Sequence, residues 1–136
     1  MVIVEDGKEC TCGRKGCLEA YVSVNALAKE AEAVSGKMLS PEEIFCRASE
    51  GDMALKEVAE DYVRKLGTGM VNIVNIFRPQ IVIIGGSMAG QGERLLSPLR
   101  ERVLKDCFGG SNAELPEIQM AALGKEAGII GAASLM

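Results

Sequence analysis

The chain has 136 residues, of which 48% are hydrophobic and 25% are charged, and its formal net charge is −4. This composition is typical of a soluble globular domain, or of part of a larger one, with enough apolar residues for a core. The acidic balance offers no basic field for nucleic acid or an anionic membrane, and no apolar run approaches the roughly 18 residues that span a bilayer. The sequence therefore predicts a cytoplasmic protein whose partners in this region are neither nucleic acid nor membrane.

The first predicted elements are a strand and a cysteine-rich loop. Residues 1–4 are a short β-branched run that predicts a strand. The loop that follows contains three cysteines within eight residues, at Cys10, Cys12 and Cys17. Thiolates at this spacing can converge on one soft cation, and Gly13 and Gly16 allow the backbone to fold tightly around it. Three sulfurs leave a tetrahedral zinc site one ligand short, and the sequence contains no histidine.

Three uses of this loop compete. A thiol redox pair would leave one cysteine surplus, and its usual signature is Cys-x-x-Cys. A disulfide framework needs paired cysteines in an oxidising compartment, whereas this chain has five cysteines and no apolar signal peptide before the loop. Structural zinc is therefore favoured, with a fourth ligand that the three cysteines do not supply. We expect the other two cysteines, Cys46 and Cys107, to be buried apolar side chains.

Periodic apolar positions predict three helices in the middle of the chain. The first covers about 22–34, and the second begins at Ser40–Glu43, where a serine cap, a proline and a glutamate form a helix-start signature. The third runs over about 52–77. Beyond Gly67 its polar face almost disappears, which predicts a helix end that is buried on all sides. Gly67 and Gly69 predict a close approach, for which helix packing is favoured over a ligand.

The second half of the chain alternates strands and helices. Residues 80–84 form a continuous apolar run, which is typical of a strand covered on both faces. This order of elements predicts an α/β fold with parallel crossover connections. The remaining predicted elements are a helix over about 93–107, a strand over about 117–123 and a helix over about 127–135.

The apolar strand leads directly into Gly85 and Gly86. Ligands of open α/β sheets bind beyond the carboxyl ends of the strands, and two glycines there would let a flat base or a phosphate reach the backbone. The pattern is neither a Walker phosphate loop nor a Gly-x-Gly-x-x-Gly fingerprint. A ligand wall and a plain tight turn both remain open at this point.

Three motifs together resemble one family. The cysteine loop continues as Cys-x-Cys-Gly-x-x-Gly-Cys-x-Glu-Ala-Tyr, and it is followed by Asn75-x-x-x-Pro79-x-Ile-Val-Ile-Ile-Gly85-Gly86 and by Gly124-x-x-Ala127-Gly128-x-x-Gly131-Ala132-Ala133. In these motifs the chain is similar to the ROK family of repressors, open reading frames and sugar kinases. The resemblance covers essentially the whole chain, its most specific part is the cysteine loop, and its pattern is most like that of glucokinases and related hexose kinases.

The resemblance implies an actin-like ATPase, or ribonuclease-H-like, fold in which two α/β domains enclose ATP, magnesium and sugar. Residues 1–136 are expected to be the partial carboxy-terminal domain with its zinc loop. The family's phosphate loops, its catalytic aspartate and two strands that precede residues 1–4 are expected to lie outside it. No catalytic residue is therefore assigned, and the chain alone is expected to be inactive. The family's zinc-binding histidine lies ten residues before the first loop cysteine, ahead of Met1.

The resemblance also assigns roles to single residues. Glu19 is expected to accept hydrogen bonds from sugar hydroxyls, although without the resemblance an exposed acid at a helix start would be the preferred interpretation. Gly85 and Gly86 are expected to form part of the adenosine wall, and the zinc ligands are Cys10, Cys12 and Cys17.

The expected whole protein is an ATP-dependent hexose kinase. The alternatives are a sugar-sensing ROK repressor and a stand-alone zinc-binding interaction module. Without its first strands the domain would expose a sheet edge and core side chains, so a homodimer is expected.

Overall fold

The computed structural model describes residues 1–112, 114–123 and 126–135. Within these ranges, α-helices alternate with two β-strands in the second half of the chain. In chain order the elements are α1 (Glu19–Val22), α2 (Val24–Ser35), α3 (Pro41–Ser49), α4 (Met53–Phe77), β1 (Ile81–Ile84), α5 (Glu93–Asp106), β2 (Glu117–Met120) and α6 (Ala127–Ala133). Short 3-10 helices lie at Gly86–Gln91 and Gly110–Asn112.

The starts of the helices follow local rules that the sequence displays. Ser40 accepts a hydrogen bond from the Glu43 N–H at 3.2 Å, and the Glu43 carboxylate accepts one from the Ser40 N–H at 2.8 Å. This is the predicted capping box. Asp52 caps α4 by accepting from the Leu55 N–H at 3.2 Å. The predicted helix over 22–34 is interrupted, because Ser23 has an extended backbone and caps a new helix.

The two strands pair in parallel, with Ile81 opposite Glu117 and Ile84 opposite Met120. Parallel strands need a crossover, and α5 supplies it, as the order of the predicted elements indicates. Arg100 of α5 donates to the Ile118 carbonyl at 2.8 Å and so holds the helix on the sheet. The core lies among the helices and under this sheet, and its fully buried side chains are Leu27, Ile44, Leu55, Val74, Leu95, Leu99 and Val103.

Three expectations about the edges of the domain are wrong. Residues 1–4 form no strand in the described chain, and Val2 makes only an isolated antiparallel bridge to Cys17. The end of α4 is not buried on all sides, because Ile76 and Phe77 are 69% and 72% exposed. The strand β1 is not covered on both faces, because Ile81 and Ile83 are 51% and 64% exposed. An apolar pattern records that a segment avoids water, but within the described residues no second layer covers these side chains.

The remaining boundaries differ slightly from the prediction. The strand expected over 117–123 ends at Met120, and the helix expected over 127–135 ends at Ala133. Gly124, with which the last motif begins, lies outside the described residues. Cys107 is buried as expected, whereas Cys46 is only half-buried. Among the described helices, none combines the length and the apolar character needed to cross a bilayer.

Candidate functional site

The cysteine loop is a tight turn held by its own backbone. The Cys10 N–H donates to the Arg14 carbonyl at 2.8 Å, and the Gly13 N–H donates to the Cys10 carbonyl at 3.0 Å. Gly13 has a φ of 83°, a left-handed conformation that costs a side-chain-bearing residue energy. The turn brings the first and last parts of the loop together.

Gly16 anchors the loop to the start of the chain. Its carbonyl accepts from the Ile3 N–H at 2.8 Å and from the Val4 N–H at 3.2 Å, while its own N–H donates to the Lys8 carbonyl at 2.8 Å. A Cβ on Gly16 would lie 1.6 Å from the Val4 carbonyl oxygen, and its φ is 73°. Only glycine therefore fits at this position, for a reason of close approach as well as of conformation.

These contacts gather the three predicted metal ligands. One ligand atom from each of Cys10, Cys12 and Cys17 lies within 4.8 Å of the others. The Cys12 and Cys17 sulfurs are 3.6 Å apart. Two sulfurs bound to one tetrahedral zinc, each at about 2.3 Å, are separated by about 3.8 Å. The sulfur positions therefore fit the donor set and the spacing of a zinc site, and the three thiols are free of disulfide bonds.

Hydrogen bonds and burial within the loop shift the pKa values of two of its thiols in opposite directions. Hydrogen bonds from the backbone and the guanidinium of Arg14 lower the pKa of the exposed Cys12 thiol to about 6. The Cys17 thiol contacts Cys12 and is buried, and both effects raise its pKa. A thiolate beside a guanidinium is the species that binds metals and reacts with electrophiles.

Glu19 stands immediately beside the loop. It is the first residue of α1, and its Oε2 is 3.8 Å from the Cys10 sulfur. A cavity of about 330 Å³, which we call the loop cavity, is lined by Cys10, Glu19, Lys8, Lys29 and Glu30 among others. The cavity therefore presents carboxylates and ammonium groups, which suits a polar ligand that both donates and accepts hydrogen bonds.

A packing contact that the sequence does not reveal positions Glu19. Leu18, between Cys17 and Glu19, packs on Gly69 of α4, where an added Cβ would lie 2.7 Å from the Leu18 methyl carbons. This confirms the close approach expected at Gly69. Gly67 also meets a side chain, since its added Cβ would lie 2.7 Å from Arg102 of α5. In the sequence, the apolar Leu18 between Cys17 and Glu19 is the signal for the first of these contacts.

Gly85 and Gly86 lie at the carboxyl end of β1, as predicted, and not at the loop cavity. Gly86 has a φ of 69°, and a Cβ there would meet nothing within 4 Å. A second cavity of about 310 Å³, the strand-end cavity, is lined by Gly86, Ser87, Ala89, Gly90, Gln91, Ser40, Pro41 and Glu42. The sequence predicts the helix start at Ser40–Glu43 but not that Ser40, Pro41 and Glu42 lie beside Gly86. It also does not indicate that Gln91 lines this cavity.

Relatives with established names match along the whole chain. The glucokinase of Thermotoga maritima is 33% identical over 150 residues, which cover 100% of this chain and 47% of that protein. The xylose repressor of Bacillus subtilis is 32% identical over 139 residues, which cover 100% of this chain and 35% of that protein. The chain thus spans about half the length of the glucokinase, and less of the repressor.

A solved structure has the same architecture. A ROK family glucokinase from Streptomyces griseus, in complex with glucose and AMPPNP, matches with a TM-score of 0.85 and 30% identity over 99% of this chain and 49% of that one. This likeness confirms the predicted α/β fold of the actin-like ATPases. The sequence model of the ROK family matches residues 1–136, which is every residue of the chain. The chain therefore belongs to the ROK family.

Proposed function

We propose that this chain forms the carboxy-terminal part of an ATP-dependent hexose kinase of the glucokinase type. The observation that best supports this proposal is the likeness, over 99% of the chain, to a glucokinase in complex with glucose and AMPPNP. In such an enzyme the γ-phosphoryl group of ATP passes to a hexose hydroxyl while magnesium neutralises the phosphates. Residues 1–136 would be a partial domain of that protein, and a cytoplasmic location, where ATP is available, belongs to the same proposal.

Glu19 is the proposed sugar-binding residue. Its carboxylate lines the loop cavity, and a carboxylate can accept hydrogen bonds from two neighbouring hydroxyls. Hydrogen bonds to a charged acceptor are stronger than neutral ones, so this contact would orient the sugar as well as hold it. Leu18 and Gly69 support this role, because their packing fixes the backbone from which Glu19 projects.

Cys10, Cys12 and Cys17 are proposed to hold one structural zinc ion. The ion would cross-link the loop directly before Glu19, and its fourth ligand would be water, an acid or a histidine from an upstream segment. Glu19 is an acid near this position, with its Oε2 at 3.8 Å from the Cys10 sulfur. The zinc therefore has a positioning role in the proposal and takes no part in phosphoryl transfer.

Gly85 and Gly86 are proposed to form part of the adenosine wall. Their support is the open strand-end cavity, in which no side chain projects from Gly86. This cavity and the loop cavity have no lining residue in common. Sugar and nucleotide would therefore occupy separate places on the chain, as a two-substrate transfer requires.

We propose no catalytic residue in this chain. The general base that accepts the proton of the sugar hydroxyl is expected elsewhere in the whole protein, and so are most of the residues that bind the phosphates. An assay that couples ADP release to a panel of hexoses tests this division. The chain alone should release no sugar-dependent ADP, whereas the longer protein that contains it should. Sugar-dependent turnover by the chain alone would contradict the assignment of the base to another segment.

A sugar-sensing repressor is the second candidate, and its support is the 32% identity to a xylose repressor. It would keep the zinc loop and the sugar contact but would transfer no phosphoryl group. The genomic sequence upstream of Met1 separates the candidates. A catalytic aspartate with phosphate loops indicates the kinase, and a winged helix-turn-helix indicates the repressor. An upstream region with neither would favour the third candidate, a stand-alone zinc-binding interaction module.

A further inference from the structure

Two sulfurs of the cysteine loop are close enough to form a disulfide bond after a small movement. The Cys12 and Cys17 sulfurs are 3.6 Å apart, so the two side chains already converge. A disulfide bond has a length of about 2.0 Å, and the sulfurs would therefore have to approach each other by about 1.6 Å. The same spacing that suits two ligands of one zinc ion thus also suits a direct bond between them.

The two thiols differ in their access to solvent. Cys12 is exposed, whereas Cys17 is buried, with 5% of its surface accessible. An oxidant dissolved in water therefore reaches Cys12 first. Cys17 is shielded from direct attack, but its sulfur is in contact with the sulfur of Cys12. An accessible cysteine with a second cysteine beside it is the arrangement that favours reversible oxidation to a disulfide over further oxidation.

We propose that Cys12 and Cys17 form a peroxide-sensitive pair whose oxidation to a disulfide releases the zinc ion. This inference rests on the proposed zinc site and adds a means of regulating it. A redox pair leaves one of the three loop cysteines over, and that residue is Cys10, which donates to Glu19 at 3.8 Å. Metal binding and thiol oxidation are then two successive states of the same loop.

The oxidant is a peroxide, and the two sulfurs together supply the two electrons that it takes up. The Cys12 thiolate attacks one oxygen of hydrogen peroxide, the O–O bond breaks and hydroxide leaves, so Cys12 becomes a sulfenic acid. The Cys17 thiolate then attacks the Cys12 sulfur, the S–O bond breaks, a second hydroxide leaves and the S–S bond forms. Only Cys10 remains as a thiolate ligand, which is too few for a structural zinc site.

Peroxide treatment of the zinc-loaded wild-type chain tests the proposal. A chromophoric chelator measures the zinc that is released, and mass spectrometry of unreduced peptides locates the disulfide. Released zinc and the Cys12–Cys17 disulfide should increase together, and dithiothreitol with added zinc should restore the zinc-bound thiols. Cys46→Ser, outside the cluster, should respond as the wild type does.

Variants of the metal-free chain test the separate roles of the two cysteines. Cys17→Ser leaves Cys12 without its partner, so the sulfenic acid should accumulate and react with dimedone. In Cys12→Ser the remaining Cys17 is buried, and dimedone labelling of it should be at least about tenfold lower. Cys10→Ser should still form the Cys12–Cys17 disulfide, because Cys10 is not part of the pair.

The outcomes separate this inference from the zinc site on which it rests. A chain that contains zinc but forms no Cys12–Cys17 disulfide with peroxide would overturn the inference and leave the zinc site standing. A disulfide that includes Cys10 would overturn the choice of the pair. A wild-type chain that binds no zinc would contradict the proposed metal site and, with it, the release of the ion.

Discussion

Gly69 in the middle of α4 is in packing contact with Leu18 at the end of the cysteine loop, and the distance leaves no room for a Cβ between them. The contact joins the longest helix of the domain to the residue between the last loop cysteine and Glu19. It explains how a loop with little regular structure can hold a carboxylate in a fixed place. The contact also gives the first prediction.

Gly69→Val should displace Leu18 and weaken both the fold and the metal loop. Overpacking of this kind costs about 1–3 kcal/mol of unfolding free energy, and a displaced Leu18 also moves Cys17. Denaturant unfolding and zinc competition with a chromophoric chelator measure the two effects. Thr68→Val, the adjacent position on the same helix, is the control and should change both by little. Unchanged zinc affinity in Gly69→Val would show that the helix does not position the loop.

Gly16→Ala should abolish the folded loop, whereas Gly13→Ala should not. Both glycines have a positive φ, so both substitutions strain the backbone by about 1–2 kcal/mol. At Gly16 the new Cβ would also lie 1.6 Å from the Val4 carbonyl oxygen, but at Gly13 it would meet nothing within 4 Å. Metal content after purification should therefore be lost in the first variant and kept in the second. Equal metal content in the two would refute the close approach to Val4.

One zinc ion per chain is expected in protein purified without chelator. Cys10→Ser, Cys12→Ser and Cys17→Ser should each lower the zinc content, while Cys46→Ser, outside the cluster, should not. Because metal binding is coupled to folding, removal of the zinc with a chelator should lower the melting temperature of the wild-type chain. Elemental analysis that finds well under one zinc per wild-type chain would contradict the proposed metal site.

Cys12 should be the first thiol to be alkylated in the metal-free chain. Its pKa is lowered to about 6, so it is mostly thiolate at pH 7 and becomes protonated as the pH falls through 6. Burial raises the pKa of Cys107, and a hydrogen bond to Glu50 raises that of Cys46, so these two remain thiols at pH 7. Iodoacetamide labelling followed by peptide mass spectrometry checks the order and its loss below pH 6. Faster labelling of Cys107 than of Cys12 would contradict this electrostatic account of the loop.

The exposed apolar side chains of β1 and of the end of α4 should drive self-association, as a symmetric homodimer in its simplest form. Ile83 and Phe77 are among them, and at about 25 cal/mol per Å² even a few hundred Å² of covered apolar area stabilises a dimer substantially. Sedimentation equilibrium at micromolar concentration should show dimers. Ile83→Lys should weaken them, but Met38→Lys, at an exposed residue between α2 and α3, should not. A monomeric wild-type chain with a cooperative melt would contradict this prediction.

Much of the local structure follows from neighbouring residues and could be read from the sequence. The capping box at Ser40 needs only Ser40 and Glu43, and both of its hydrogen bonds are present. The cysteine spacing similarly predicts convergence, because eight residues with two glycines have few ways to fold. The prediction of a strand at residues 1–4 is wrong because a strand depends on residues elsewhere in the chain. A strand exists only where a second strand pairs with it, and composition does not show whether one is near.

The sequence by itself determined the order of elements, the family and the three thiols that could meet, since each depends on residues close together in the chain or on a long recognisable motif. The tertiary structure alone decided that Ile81 and Ile83 stay exposed and that Leu18 packs on Gly69. These are relationships between segments that are far apart in the chain. Periodicity shows which side of an element avoids water. Which neighbouring element covers that side depends on how all the elements pack.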